Sequence, residues 1–254
     1  MNIKKKNVGI IGMGYVGLPL AIEFSKKLNV IGFDIKKERI KELNKGIDLT
    51  GEVSKKEILN SKRISFSTNI VDLKNCQIYI ITVPTPINNK KKPNLTSILK
   101  ATELVSKVAD KNNIIIYEST VFPGVTEEIC GPILEKRTGL KINKNLFLGY
   151  SPERINPGDK NKRLKDIVKI TSGSNLKISK FISDLYSLII KAGIYRVKSI
   201  KIAEAAKVIE NTQRDLNIAF INELSLIFKK MNIPTEDVLR AAETKWNFIP
   251  FRPG

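Results

Sequence analysis

Short apolar runs, each bounded by glycine, proline or charged residues, recur along the first two thirds of the chain. They carry the β-branched side chains that suit strands buried on both faces. These runs occupy residues 8–11, 30–34, 64–67, 78–83, 114–118, 146–150 and 167–171. Between most of them the apolar positions change to a spacing of three to four, over 18–28, 95–109, 126–137 and 176–192, which predicts helices. Alternation of this kind predicts an α/β fold with a doubly wound, mainly parallel sheet.

The pattern changes at Ser199. No proline or glycine interrupts residues 199–231, and Ala203-Glu-Ala-Ala-Lys207-Val-Ile-Glu-Asn211 begins a helix of about 30 residues, roughly 45 Å long. Such a helix exceeds what covers a sheet. It is expected to leave a first domain, 1–198, and to form the spine of a second, helical region, 199–254, where Ile233-Pro-Thr-Glu236 starts a further helix. Lys207, Asn211 and Arg214 follow one another at spacings of four and three and so share one helical face. Two readings of that stripe are open, a solvated polar face and a set of site residues.

Composition narrows the classes. With 254 residues and 42% apolar content the chain can bury a substantial core, and no apolar run approaches the roughly 18 residues of a membrane span. The net charge of +19 suggests an anionic partner. The lysines are spread along the chain without interleaved aromatics, so a small anionic substrate is expected and nucleic acid is not. There is no histidine, which removes the commonest general base and argues against a zinc site. Cys76 opens an apolar strand and Cys130 lies in a helical pattern, and both read as packed thiols. Lys4-Lys-Lys6 before apolar residues has the look of a secretory leader. Pro19, Glu23 and the lack of an Ala-x-Ala cleavage sequence argue against it, so a cytoplasmic location is expected.

The first strand runs into Gly12-Met-Gly14-Tyr-Val-Gly17 and then a helix, and the second strand ends at Asp34. Gly12 suits the tight bend, Gly14 a close approach of backbone to a pyrophosphate, and Gly17 the packing of helix on sheet, with phosphates at the helix N-terminus. This is a Rossmann-like dinucleotide cradle. Asp34 lies where ribose hydroxyls would be and repels a 2′-phosphate, which favours NAD over NADP, although Lys36, Lys37 and Arg39 weaken that exclusion.

Ligands of doubly wound sheets lie beyond the carboxyl ends of the strands. Three successive strands here run into Val83-Pro-Thr85-Pro, Glu118-Ser-Thr120-Val-Phe-Pro-Gly124 and Ser151-Pro-Glu153-Arg154-Ile-Asn-Pro-Gly158. Any one of these loops also admits a reading as turn chemistry alone. Three on one rim, each with a hydroxyl or a carboxylate, read as a site.

Taken with Thr244-Lys245-Trp-Asn-Phe-Ile-Pro-Phe-Arg-Pro-Gly254, these segments resemble the UDP-glucose/GDP-mannose dehydrogenase family over essentially the whole chain, in its branch acting on UDP-N-acetylhexosamines, UDP-N-acetylglucosamine foremost. The resemblance implies oxidation of the sugar C6 alcohol to the uronic acid with two NAD, through a thiohemiacetal and a thioester on a cysteine, for surface polysaccharide synthesis. It implies NAD contacts from Gly12, Gly14, Tyr15, Val16 and Gly17 of the turn, and from Asp34, Arg39, Thr85 and Thr120. Thr120, Glu153, Lys207 and Asn211 are implied in catalysis. Substrate contacts are implied for Glu153, Arg154, Lys207, Asn211, Arg214 and Lys245. A homodimer through the central helix is implied as well. The family's nucleophilic cysteine, in a Gly-Gly-His-Cys segment, and its UDP-binding domain are expected to follow Gly254. On that reading residues 1–254 hold NAD and pair but do not turn over.

Overall fold

The computed structural model describes residues 2–155 and 163–250. The chain divides into two compact units, Met1–Ala205 and Ala206–Gly254. The first contains, in order, β1 (Asn7–Ile11), α1 (Gly17–Ser25), β2 (Asn29–Phe33), α2 (Lys37–Asn44), α3 (Lys55–Asn60), β3 (Ile64–Ser67), β4 (Ile78–Ile81), α4 (Thr96–Ser106), β5 (Asn113–Tyr117), α5 (Gly131–Thr138), β6 (Leu146–Tyr150), β7 (Lys169–Gly173), α6 (Leu176–Ser187) and β8 (Ile194–Arg196). The strands lie in the order β3-β2-β1-β4-β5-β6-β7-β8. The first six are parallel, β7 runs antiparallel to β6, and β8 is parallel to β7.

Strand order reverses beside β1, and the sheet is therefore doubly wound, as the alternation predicts. The central strands explain themselves. β4 and β5, with sequences IYII and NIIIY, are buried at every position, as helices on both faces require. Register sets Ile10 beside Gly32 on one side and Ile80 on the other. α6 lays Ile178, Ile182, Leu185 and Tyr186 on the sheet, and the Tyr186 ring meets Phe24 edge-on at 5.6 Å.

Three elements go beyond the periodicity reading. α2 buries only Ile40 and Leu43 among charged residues, α3 buries only Ile58, and β8 is three residues long and mostly exposed. None presents an apolar run. The helix expected over 126–137 is a π-helical stretch, Val125–Cys130, continued by α5. The helices expected over 95–109 and 176–192 end at Ser106 and Ser187.

α7 (Ile200–Lys230) begins in the first unit, where Ile200, Ala203 and Glu204 are buried. The second unit holds the remainder of α7 and α8 (Thr235–Ala242), and α8 buries none of its residues. Asn156 to Asp159 of the Ser-Pro-Glu-Arg loop and Phe251 to Gly254 of the last quoted motif lie outside the described residues. Among the described residues no helix is long and apolar enough to cross a membrane, and no group of three or more His, Cys, Asp or Glu residues could hold a metal ion.

Candidate active site

β1 ends in a bend that only glycine can make. Gly12 has φ +100°, and a Cβ on Gly17 would stand 1.8 Å from the Gly12 carbonyl oxygen. Gly14 differs, because a Cβ there would meet nothing within 4 Å. Its backbone is open to a ligand. Tyr15 is exposed and Val16 buried at the entry to α1, whose N-terminal amides receive no side-chain cap from Val16. That leaves the positive end of the helix dipole available to phosphate.

The residue after β2 ties this bend to its neighbour. Asp34 accepts the Met13 amide at 2.8 Å through Oδ2 and the Lys36 amide at 3.0 Å through Oδ1. Arg39 of α2 donates from Nε to the Met13 carbonyl at 2.7 Å and pairs through Nη2 with Asp48 at 2.7 Å. Its Nη1 is buried and has no hydrogen-bond partner. Asp48 also accepts from the Thr50 hydroxyl and from the amides of Thr50, Glu52 and Val53. Burial works against its ionisation, but Arg39 and these donors outweigh it and hold the carboxyl below the usual carboxylate range. Asp48 was not legible as a site support, because a short polar loop gives no pairing signal.

Beyond β4 and β5 the loops are stitched together. Thr82 donates to the Gly12 carbonyl at 2.8 Å, Ser119 to the Val83 carbonyl at 2.6 Å, and Thr85 to the Thr120 carbonyl at 2.5 Å. Thr120 itself is exposed. From β6, the Tyr150 hydroxyl donates to the Ser119 carbonyl at 3.2 Å. Gly12, Gly14, Tyr15, Val16, Gly17, Asp34, Arg39, Thr85, Thr120, Glu153 and Arg154 thus all lie past the carboxyl ends of parallel strands in the first unit.

Glu153 is buried, and its Oε1 accepts the amides of Arg154 at 2.6 Å and of Ile155. Its Oε2 is buried without a hydrogen bond and lies 3.8 Å from the Lys169 ammonium. Arg154 donates from Nη1 to the Val168 carbonyl at 2.9 Å. Behind Glu153 stands a buried set that periodicity did not single out. Lys169 pairs with Glu118 at 2.6 Å, and Tyr186 donates to Glu118. Burial raises the Glu118 carboxyl, with Lys169 opposing and Glu153 reinforcing the shift. The one signal in the sequence is a lysine placed in a buried strand, which needs a counter-charge.

The remaining site residues belong to the second unit. Lys207, Asn211 and Arg214 occur on α7, and Lys245 is exposed after α8. Both cysteines are buried and free. Burial pushes the Cys76 thiol up to about 12 and raises that of Cys130, so neither supplies a thiolate.

The residues of the rim fit a dinucleotide. An open glycine backbone faces an uncapped helix N-terminus, an aspartate follows β2, and a buried guanidinium keeps one unpartnered nitrogen. Residues 6–190 match the UDP-glucose/GDP-mannose dehydrogenase family, NAD binding domain, and residues 201–254 match the family's central domain. The chain is 58% identical over 252 residues to UDP-N-acetyl-D-glucosamine 6-dehydrogenase of Pseudomonas aeruginosa, covering 99% of this chain and 60% of that protein. It is 56% identical to the enzyme of the same name from Salmonella typhi, covering 99% and 59%. Among solved structures, a UDP-D-ManNAc dehydrogenase from Pyrococcus horikoshii superposes with a TM-score of 0.89 at 32% identity, over 98% of this chain and 60% of that one. The chain spans about 60% of the length of the curated relatives it matches. It belongs to the UDP-glucose/GDP-mannose dehydrogenase family and carries that family's NAD binding domain.

Proposed function

We propose that these residues serve the NAD-dependent oxidation of the C6 alcohol of a UDP-N-acetylhexosamine, UDP-N-acetylglucosamine foremost, to the uronic acid. The observation that carries this reading is the 58% identity over 99% of the chain to a UDP-N-acetyl-D-glucosamine 6-dehydrogenase. The activity is that of a polypeptide with the length of the relatives that contains this chain. Primary alcohol, water and two NAD become carboxylate, two NADH and three protons. NAD, when bound, supplies the hydride acceptor.

The chain's own residues have the following parts in this reading. Gly12, Gly14, Tyr15, Val16 and Gly17 receive the pyrophosphate side of the cofactor, while Asp34 and Arg39 take the adenosine end, and Thr85 and Thr120 border it. Alcohol oxidation requires the hydroxyl proton to leave as well, and Glu153 and Thr120 hold the water or hydroxyl that takes part. Oε2 of Glu153 is the acceptor left for it. Lys207 and Asn211, one turn apart on α7, donate to the oxygen that gains negative charge at C6. Arg154, Arg214 and Lys245 meet the sugar nucleotide. Neither buried thiol suits a covalent acyl intermediate, so residues 1–254 by themselves bind NAD without sustained turnover.

The test is a polypeptide of the relatives' length given NAD and, separately, the UDP derivatives of N-acetylglucosamine, N-acetylgalactosamine and N-acetylmannosamine, with NADH formation followed by absorbance. The expected result is two NADH per sugar, fastest with the first. Absence of NADH with all three overturns the reading, and a faster second or third sugar reassigns the substrate. Steady NADH formation by residues 1–254 overturns the statement about the shorter chain.

A further inference from the structure

Glu118 stands directly after β5, and Lys169 opens β7. Their 2.6 Å ion pair is almost completely enclosed, with side-chain exposures of 0% and 3%. Tyr186 donates to Oε1 of Glu118, and its ring lies beside the Lys169 ammonium, 5.5 Å from ring centroid to nitrogen. That contact adds a cation–π attraction. The same ammonium is the cation 3.8 Å from Oε2 of Glu153. Two buried carboxylates therefore share one buried cation. Around them, the Ser151 hydroxyl is engaged with the Ile170 carbonyl, the Tyr150 hydroxyl with the Ser119 carbonyl, and the Arg154 guanidinium donates to the Val168 carbonyl.

The two carboxylates are not treated alike. Glu118 is in direct contact with Lys169 and Tyr186, which satisfies both of its oxygens. Glu153 has Oε1 fixed by two main-chain amides, and its Oε2 is near the cation but beyond hydrogen-bond length. The ammonium faces that oxygen at 3.8 Å without occupying its lone pairs.

We propose that Lys169, anchored by Glu118 and Tyr186, is a positioning residue that sets a positive charge beside Glu153 and leaves its buried Oε2 without a hydrogen bond, for the water or hydroxyl at the reacting carbon. The role rests on the functional reading above for what Oε2 meets. The electrostatic arrangement does not.

Because Glu118 and Lys169 have opposite charge, their replacements must act in opposite directions on Glu153. A merely structural role does not produce that pattern. Residues 1–254 carrying glutamate labelled with 13C at the carboxyl carbon are titrated by NMR, with the Glu153 signal identified by its loss in Glu153→Gln. In Lys169→Met, which removes the cation, that signal should protonate at higher pH than in the unsubstituted chain. In Glu118→Gln, which removes the competing anion, it should protonate at lower pH. Should Lys169→Met fail to fold, Glu118→Gln alone carries the test. No movement, or movement in the same direction in both variants, overturns the inference. In the polypeptide of the relatives' length, the acid limb of the pH profile for kcat should move the same way, with KM for NAD little altered. If the carboxyl signal moves and the rate profile does not, Lys169 still sets the charge of Glu153 and the role of Glu153 in the reaction falls.

Discussion

Arg39 is held from two directions, by the Met13 carbonyl and by a carboxylate that five groups of its own loop and helix converge upon. The guanidinium is thereby fixed in place. Asp48→Ala strands this buried cation, and unfolding in urea should show a loss of about 3–5 kcal/mol. An unchanged urea midpoint would mean that the pair adds nothing. Since the Asp48 carboxyl is depressed in the folded chain, the stability it supplies is full above the unfolded value of about 3.9 and declines as pH falls through and below it. The variant lacks that component, so its stability should fall less steeply on acidification. Asp34→Asn removes the charge that repels a 2′-phosphate, and the ratio of NAD to NADP affinity should drop. A constant ratio assigns Asp34 to the Met13 and Lys36 amides alone. The glycine bend after β1 and the carboxylate after β2 were readable in the sequence because they form a contiguous strand–turn–helix–strand pattern. The Glu118, Lys169 and Tyr186 set was not, because its members are 51 and 68 residues apart and only the folded register joins them.

At the scale of elements, the loop bearing Thr120 is fastened to the first turn of α7. Glu204, fully buried, accepts the Gly124 amide at 2.6 Å and the Thr126 amide at 3.0 Å, and Lys201 pairs with Glu128 beside it. A carboxylate at these amides both satisfies orphan donors and complements the helix dipole. Glu204→Ala leaves two buried N–H groups unpaired, at about 1–3 kcal/mol each. The expected readout is a lower thermal midpoint together with faster hydrogen exchange at Gly124 and Thr126, and protected amides there would show that another acceptor takes over. Periodicity predicted a helix over this stretch but not its winding. The Gly131 amide reaches back five residues to the Thr126 carbonyl, and Pro132 has no N–H with which to continue a four-residue ladder, so the first turn opens to the π form. The seven strands read from apolar runs are present, whereas α2, α3 and β8 were missed for want of a sufficient apolar signal.

For the molecule as a whole, the two faces of α7 in the second unit carry different chemistry. At 100° per residue, Ile209, Leu216, Phe220 and Ile227 fall within about 40° of arc, and Lys207, Asn211 and Arg214 fall roughly opposite. All four apolar side chains are exposed. Leaving so much apolar surface in water on a chain of charge +19 is unfavourable, and a second copy meeting it along the same stripe buries it on both partners. We propose that this stripe is the face of the homodimer through the central helix that the family resemblance implies. In a two-fold interface each substitution occurs twice. In the proposed interface Leu216→Glu removes a leucine from each partner, about 1.5 kcal/mol or more each, and should weaken dimerisation by more than about a hundredfold. Sedimentation velocity of residues 1–254 across a concentration series is the measurement. The unsubstituted chain should sediment as a dimer and Leu216→Glu as a monomer, with NAD affinity kept, since the glycine turn, Asp34 and Arg39 all belong to the first unit. A monomeric unsubstituted chain, or a dimer indifferent to Leu216→Glu, removes this stripe from the interface.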